Sequence, residues 1–199
     1  MARVLIQFAH LILSKSRVHT TLLRYGSNLN DVTINDLYER YPDLYIDVGR
    51  EQQLLLGHDI VVFQHPFYWY SSPAIIKQWF DLVLEHNWAY GVQGNALAGK
   101  KMLNAISCGG SREAYRPDGP NRYTVNQFLA PFDQTATLCK MIYLPPFVIH
   151  ATHRLTADQL ADYGEQYRAI LSALASERIS PEDCRNVEYI NELVSLPTG

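Results

Sequence analysis

Cysteine is scarce in this chain of 199 residues: Cys108, Cys139 and Cys184 stand far apart and form no CxxC pair. That excludes a disulfide framework and a cysteine zinc site, and it fits free thiols in a reducing compartment. Basic charge is not in excess either. Seventeen Lys and Arg face 20 Asp and Glu, for a formal net charge of −3, so there is no surplus to displace counterions from nucleic acid. No apolar run approaches the roughly 20 residues that cross a bilayer. The opening MARVLIQFAH holds one Arg and a short apolar run, which reads as a first strand rather than a secretory signal. Internal repeats and low-complexity segments are missing as well. What is present is a 47% hydrophobic composition, enough for a sizeable core on a chain of single-domain length. One cytoplasmic domain over residues 1–175 is expected, followed by a helical tail over 176–199.

Val4 to Ala9 is a continuous apolar-rich run, the pattern of a strand buried on both faces. Ser16 is placed to cap a helix through Val18, Leu22 and Leu23 that Gly26 ends. Val32 to Leu37 reads as a second strand, Tyr38 to Gly49 as a loop around Pro42, and Glu51 to Leu56 as a helix. The third strand, Ile60 to Gln64, is expected to stop at His65-Pro66, because proline does not continue a central strand. Ser72-Pro73 reads as an N-cap with proline at the first helical position. Ile75, Ile76, Trp79, Phe80, Val83 and Leu84 then form an apolar stripe at helical spacing. Met102 to Ser107 and Ile142 to Ile149 supply two more strands, with helix over most of Val125 to Lys140 and from Thr156 to Ala175. Ser180-Pro181-Glu182-Asp183 resembles a further helix start, with Val187, Ile190 and Val194 on one face. Alternating strands and helices imply a parallel sheet covered on both faces. Five strands on this length predict an α/β fold of order 2-1-3-4-5, with the ligand outside the carboxyl ends of the strands.

The loops after Ala9, Gln64 and Ser107 therefore carry the candidate site. The first holds Ser14 and Ser16 at a helix start, suited to a phosphate or simply to capping. The second, His65-Pro66-Phe67-Tyr68-Trp69-Tyr70-Ser71, has three consecutive aromatics in what should be a solvated loop. Such residues cover either the core or a flat apolar ligand. In the third, Ser107-Cys108-Gly109-Gly110-Ser111, paired glycines form a plain turn or let backbone amides approach a ligand, with Tyr115 close behind. Two motifs lead nowhere. Gly94 to Lys100 has the spacing of a phosphate-binding loop, but Lys101 replaces its hydroxyl residue and a strand follows rather than precedes it. His150 and His153 lack further ligands at metal-binding spacing, which leaves them a surface or interface role.

With those residues in view, Gln64 to Ser71, Pro73-Ala74, Lys77, Trp79, Asp81 and Trp88-Ala89-Tyr90-Gly91 resemble the signature of the flavodoxin-like NAD(P)H:quinone oxidoreductases. Asp36-Leu37-Tyr38, Tyr41-Pro42-Asp43, Ile46-Asp47, Glu51-Gln52, Leu54-Leu55, Asn121-Arg122-Tyr123 and Pro131-Phe132 are similar to the ancillary proteins of bacterial glutathione-gated potassium efflux systems. The likeness runs from residue 3 to about Ala175.

The resemblance implies a flavodoxin-like, flavin-binding domain that assembles as a homodimer. It also implies FMN, with FAD as the alternative, NAD(P)H as co-substrate and a small-molecule quinone as acceptor. His10 and Ser16 would contact the flavin phosphate or ribityl chain, and Pro66, Phe67, Tyr68, Trp69 and Tyr70 would bracket the ring. Ser107, Cys108, Gly109 and Gly110 would offer amides to its polar edge, where donors stabilise the reduced, anionic form. Tyr115 would stand near the flavin carbonyl edge, and Tyr90 would arrive from the partner subunit. Leu11 departs from a proline common after the first-loop histidine, and His19 from an asparagine. Asn121 stands where some relatives have a proton-moving histidine, so Tyr115 or water would take that role. The potassium-efflux likeness adds a membrane antiporter as partner and a peripheral place on the inner face of the cell membrane. It also raises the alternative of a regulatory subunit whose flavin chemistry is secondary or absent.

Overall fold

The computed structural model describes residues 1–194. Its sheet is parallel, built from β1 (Val4–Phe8), β2 (Val32–Asp36), β3 (Ile60–Pro66), β4 (Lys101–Ser107), β5 (Ile142–Tyr143) and β6 (Phe147–Ile149). The order is β2-β1-β3-β4-β5, with β6 also on β4. This is the expected flavodoxin-like arrangement. Pro145 and Pro146 divide the expected fifth strand, and both pieces pair with β4: Lys101 faces Ile142 and Ala105 faces Phe147.

Side chains alternate between two apolar layers, as the pleat demands. Leu5, Val61, Phe63, Met102 and Ile106 face α3 (Val48–Leu56), α4 (Ala74–Val83) and α6 (Ala130–Leu138). Val4, Ile6, Phe8, Ile60, Val62 and Leu103 face α1 (Arg17–Gly26) and α7 (Ala157–Ala175). The predicted stripe on α4 is confirmed, with Ile75, Ile76, Trp79 and Val83 buried. Between α1 and α7 the packing is close: a Cβ on Gly164 would lie 2.4 Å from the Tyr25 ring.

Several boundaries differ from expectation for identifiable reasons. β3 runs through His65 and Pro66, where Pro66 pairs with Ser107. β1 has already ended at Phe8, so the missing N–H of Pro66 leaves no neighbour on that side unpaired. The segment after β2 is not all loop. Asp36 accepts from Tyr38 N and Glu39 N and starts α2 (Leu37–Arg40), and Asp47 begins α3 at Val48, before the expected Glu51. α4 starts at Ala74 with Pro73 itself as N-cap, one residue later than Ser72-Pro73 suggested. The helix expected over Val125 to Lys140 is broken at Leu129 into α5 (Val125–Phe128) and α6.

The tail departs most. Ser180 and Asp183 exchange the hydrogen bonds of a capping box, yet no α-helix follows among the described residues. Among the described residues of the tail, a 3₁₀ turn at Ile190–Leu193 is the one helical element. Tertiary bonds decide the path instead. Ile190 N donates to Pro146 O at 3.1 Å, and Gln166 donates to Asn191 O and Val194 O. Positions 195–199 of the expected tail lie outside the described residues.

Candidate functional site

Because β1, β3 and β4 are parallel, the three suspected loops leave one edge of the sheet. There they enclose a cleft of about 630 Å³, within the range of small-molecule sites. One end is cationic. α1 begins here, with Ser16 as N-cap accepting from His19 N at 3.1 Å, so the Arg17 and Val18 amides have no intrahelical acceptor. Lys15 and Arg17 flank them. No acidic side chain lines the cleft. Dipole, amides and two cations therefore converge where an anion would sit.

The other end is flat and partly apolar. Pro66, Phe67, Tyr68 and Trp69 form one wall, and Ser107, Gly109, Thr152 and His153 the other. Tyr68 to Ser71 is a tight turn closed by Ser71 N to Tyr68 O at 2.9 Å. Its central residues, Trp69 and Tyr70, have φ of 48° and 63°, the left-handed pair of a type I′ turn normally filled by Asn-Gly. Holding two aromatics there stores strain, a feature that clusters at ligand clamps. The turn leaves the Trp69 side chain 93% exposed.

His10 is fixed in one tautomer. Ile12 N donates to His10 Nδ1 at 3.1 Å, so the neutral ring carries its proton on Nε2, 3.4 Å from the Tyr68 hydroxyl. Burial lowers the His10 pKa. Burial lowers that of His19 much further, with the facing His10 and His65 adding to the effect. His19 Nε2 lies 2.9 Å from Ser107 Oγ and joins the first loop to the third.

Of the residues singled out from sequence, His10, Ser16, Pro66, Phe67, Tyr68, Trp69, Ser107 and Gly109 line the cleft. The others lie behind or beside it. Cys108 is fully buried; desolvation pushes its thiol up to about 12, so it is no nucleophile. Tyr115 is buried against Phe67 and His150, and burial, with the neighbouring Cys108, raises its pKa. Tyr70 stacks on Phe128 at 5.1 Å and donates to Asn121 Oδ1 at 3.3 Å, which joins two expected site residues outside the cleft. Gly110 packs near the Tyr115 ring. Tyr90 lies in the turn after α4, where its carbonyl accepts from Asn87 N at 2.8 Å.

Sequence reasoning missed Lys15 and Arg17, overshadowed by the neighbouring serines, and the whole fourth loop after β6. A Cβ on Gly109 would lie 3.4 Å from His153 Nε2, so this histidine belongs to the cleft and not to a remote surface. The signal was available, because a fifth parallel strand must end at the same edge as the others. Gly94 to Lys100 precedes β4 at the far edge, where Lys140 Nζ ties Gly94 O and Asn95 Oδ1. Among the described residues there is no metal-binding cluster and no helix long and apolar enough to cross a membrane.

The family described as flavodoxin-like fold matches residues 2–171. The chain belongs to that family. It is 44% identical over 171 residues to the glutathione-regulated potassium-efflux system ancillary protein KefG of Cronobacter sakazakii, covering 86% of this chain and 93% of that protein. Among solved structures it is similar to general stress protein 14 of Treponema denticola, determined in complex with FMN. That likeness has 39% identity and a TM-score of 0.83 over 86% of this chain and 99% of the other. An NADPH-quinone reductase from P. pentosaceus gives 30% identity and a TM-score of 0.77, covering 87% and 97%.

Proposed function

We propose that this flavodoxin-like chain is a flavin-dependent NAD(P)H:quinone oxidoreductase that holds FMN in the cleft and performs two-electron reduction of quinones. The observation that carries the reading is the cleft's polarity: a helix start with Lys15 and Arg17 at one end, an aromatic and glycine-lined slot at the other. These residues fit the cofactor, since a phosphate suits the cationic end and a planar ring suits the slot. The FMN complex of the Treponema protein supports the same choice.

When bound, flavin would supply the two-electron redox chemistry between NAD(P)H and the quinone. Everything else falls to this chain. The Arg17 and Val18 amides with Lys15 and Arg17 hold the phosphate. Pro66 to Trp69 fix the plane of the ring and keep water from one side. Gly109, whose amide is not taken by Ile149 as that of Cys108 is, lies with Ser107, Thr152 and His153 on the opposite wall, where donors would favour a negatively charged reduced ring. His10 stays neutral and holds Tyr68 in place. Protein groups orient and tune, while the cofactor reacts.

The chain as purified should be yellow, release FMN on denaturation and oxidise NAD(P)H when a quinone is added. A colourless protein that stays inactive with added FMN would sink the proposal. FAD as the cofactor would appear in the released mass.

Kinship with KefG supports a second role beside the first: an ancillary subunit docked on the cytoplasmic side of a potassium efflux antiporter. Co-purification with that antiporter, and restored efflux in a strain lacking the ancillary gene, test it. A homodimer is part of the same reading. Leu11, Trp69 and Tyr70, all exposed, form an apolar rim beside the cleft that a second copy would cover, and the sedimentation mass decides it.

A further inference from the structure

The glycine loop after β4 is held from behind by a segment beyond residues 2–171, the part that matches the family. Arg112, just past the loop, pairs with Glu188 at 2.5 Å and Glu192 at 2.8 Å. Its guanidinium also sits 4.7 Å from the centre of the Tyr189 ring. Tyr189 is buried and packs on His150 at 5.5 Å, which packs in turn on Tyr115 at 5.7 Å. Among the described residues neither ring nitrogen of His150 has a partner at hydrogen-bond distance, and the ring is packed between the two tyrosines beside the Gly110 backbone.

The segment is anchored at its far end. The Asn191 side-chain amide accepts from Val148 N at 2.8 Å and donates to Val148 O at 3.2 Å, so it satisfies the backbone of β6 as a neighbouring strand would. What it clamps is a pair of loops already fastened to each other. Cys108 N donates to Ile149 O at 2.8 Å, Ala151 N to Gly110 O at 2.9 Å and Thr152 N to Cys108 O at 3.2 Å. Those loops carry one wall of the cleft.

We propose that residues 188–192 are a strap that positions the glycine loop, with Arg112 and Tyr189 as positioning residues that set the affinity and reduction potential of bound flavin. The inference rests on the flavin reading for its consequence, not for its geometry. Adjacent glycines leave a backbone with more freedom than any other pair. Amides act as preorganised donors only when that freedom is removed beforehand. The strap removes it without touching the ligand. Because the Arg112 pairs are solvent-exposed, they add little to global stability. Their effect is local.

The test uses the full chain with Arg112→Gln, and separately with Glu188→Gln and Glu192→Gln combined. Hydrogen exchange is followed at the Cys108, Ala151 and Thr152 amides without added flavin. FMN affinity and the midpoint potential of bound FMN are then measured. Exchange at those amides should accelerate about tenfold with the thermal midpoint nearly unchanged. FMN should bind about fivefold more weakly, at a lower potential, since less well aimed donors stabilise the reduced ring less. Arg112→Lys, which keeps the charge, should recover most of each change. Wild-type exchange in both variants would overturn the strap, as would faster exchange with unaltered affinity and potential. Should the wild-type chain bind no FMN, the cofactor reading fails, and the exchange measurement alone decides whether the strap holds the loop.

Discussion

Trp79 on α4 donates its indole N–H to Glu51 Oε2 on α3 at 2.9 Å. Glu51 is fully buried, and its carboxylate also accepts from Gln7 at 2.9 Å, Tyr41 at 2.7 Å and Arg50 at 2.6 Å. Asn35 adds a further donor at 3.0 Å. β1, β2, α3 and α4 are thus pinned through one charge. Trp79→Phe keeps most of the ring volume but removes a donor from a buried anion, and should cost about 1–3 kcal/mol. Glu51→Ala strands Arg50 and every neutral donor, and should cost about 3–5 kcal/mol. Urea unfolding measures both, and an unchanged midpoint for the alanine variant would show that the network adds no stability.

His65 is completely buried. Its Nδ1 donates to Pro66 O at 3.0 Å and its Nε2 accepts from Asn104 at 3.1 Å. A second proton would face an amide N–H₂, and burial lowers the pKa from 6.5 to about 4. His19 is shifted in the same direction by burial. A folded pKa below the unfolded one means that the unfolded chain takes up protons first. Stability is therefore constant above pH 6.5 with respect to these groups, falls as pH drops below it, and levels for His65 near pH 4. The His65 share is on the order of 3 kcal/mol. Unfolding free energies at pH 7 and 5 check the slope. Equal values would show that neither ring resists protonation.

How much of this was legible in the sequence follows from where each signal is written. Buried parallel strands announce themselves as apolar-rich runs, and Val4 to Phe8, interrupted by Gln7, and Ile60 to Phe63 did so. The strand order followed from their number. Pro66 escapes a rule for central strands because that rule ignores which neighbours persist to the last residue. Ser180 and Asp183 form their capping box but start no helix, since bonds to Pro146, Val148 and Gln166, distant in sequence, fix the path. Lys15 and Arg17 look like ordinary surface charges until α1 is seen to open onto the cleft. Motif reasoning dismisses the His153 loop, although the topology requires it.

Trp69 and Tyr70 occupy a turn whose backbone favours Asn-Gly. The combined changes Trp69→Asn and Tyr70→Gly install that pair. The double variant relieves two left-handed side-chain-bearing residues and should raise stability by about 1–3 kcal/mol, less the packing of Tyr70 on Phe128. It should also weaken FMN by removing an aromatic from the slot. Thermal midpoint and FMN titration read the two effects. A variant that is less stable yet binds FMN normally would mean that the turn is neither strained nor part of the clamp.

The cationic end of the cleft makes the sharpest demand on the ligand. Lys15 and Arg17 flank the α1 amides, so their partner should be the phosphate and not the ring. Arg17→Ala removes a charge-assisted hydrogen bond worth about 1.5–3 kcal/mol, a loss of about tenfold or more in FMN affinity, with Lys15→Ala in the same direction. Riboflavin carries the same ring without the phosphate, so its weaker binding should be nearly untouched by either change. Added salt should likewise weaken FMN more than riboflavin, because exposed charges are screened. Paired titrations of the two ligands against wild type and both variants decide the matter. If riboflavin suffers as much as FMN, the phosphate does not lie at the start of α1 and the cofactor is oriented otherwise.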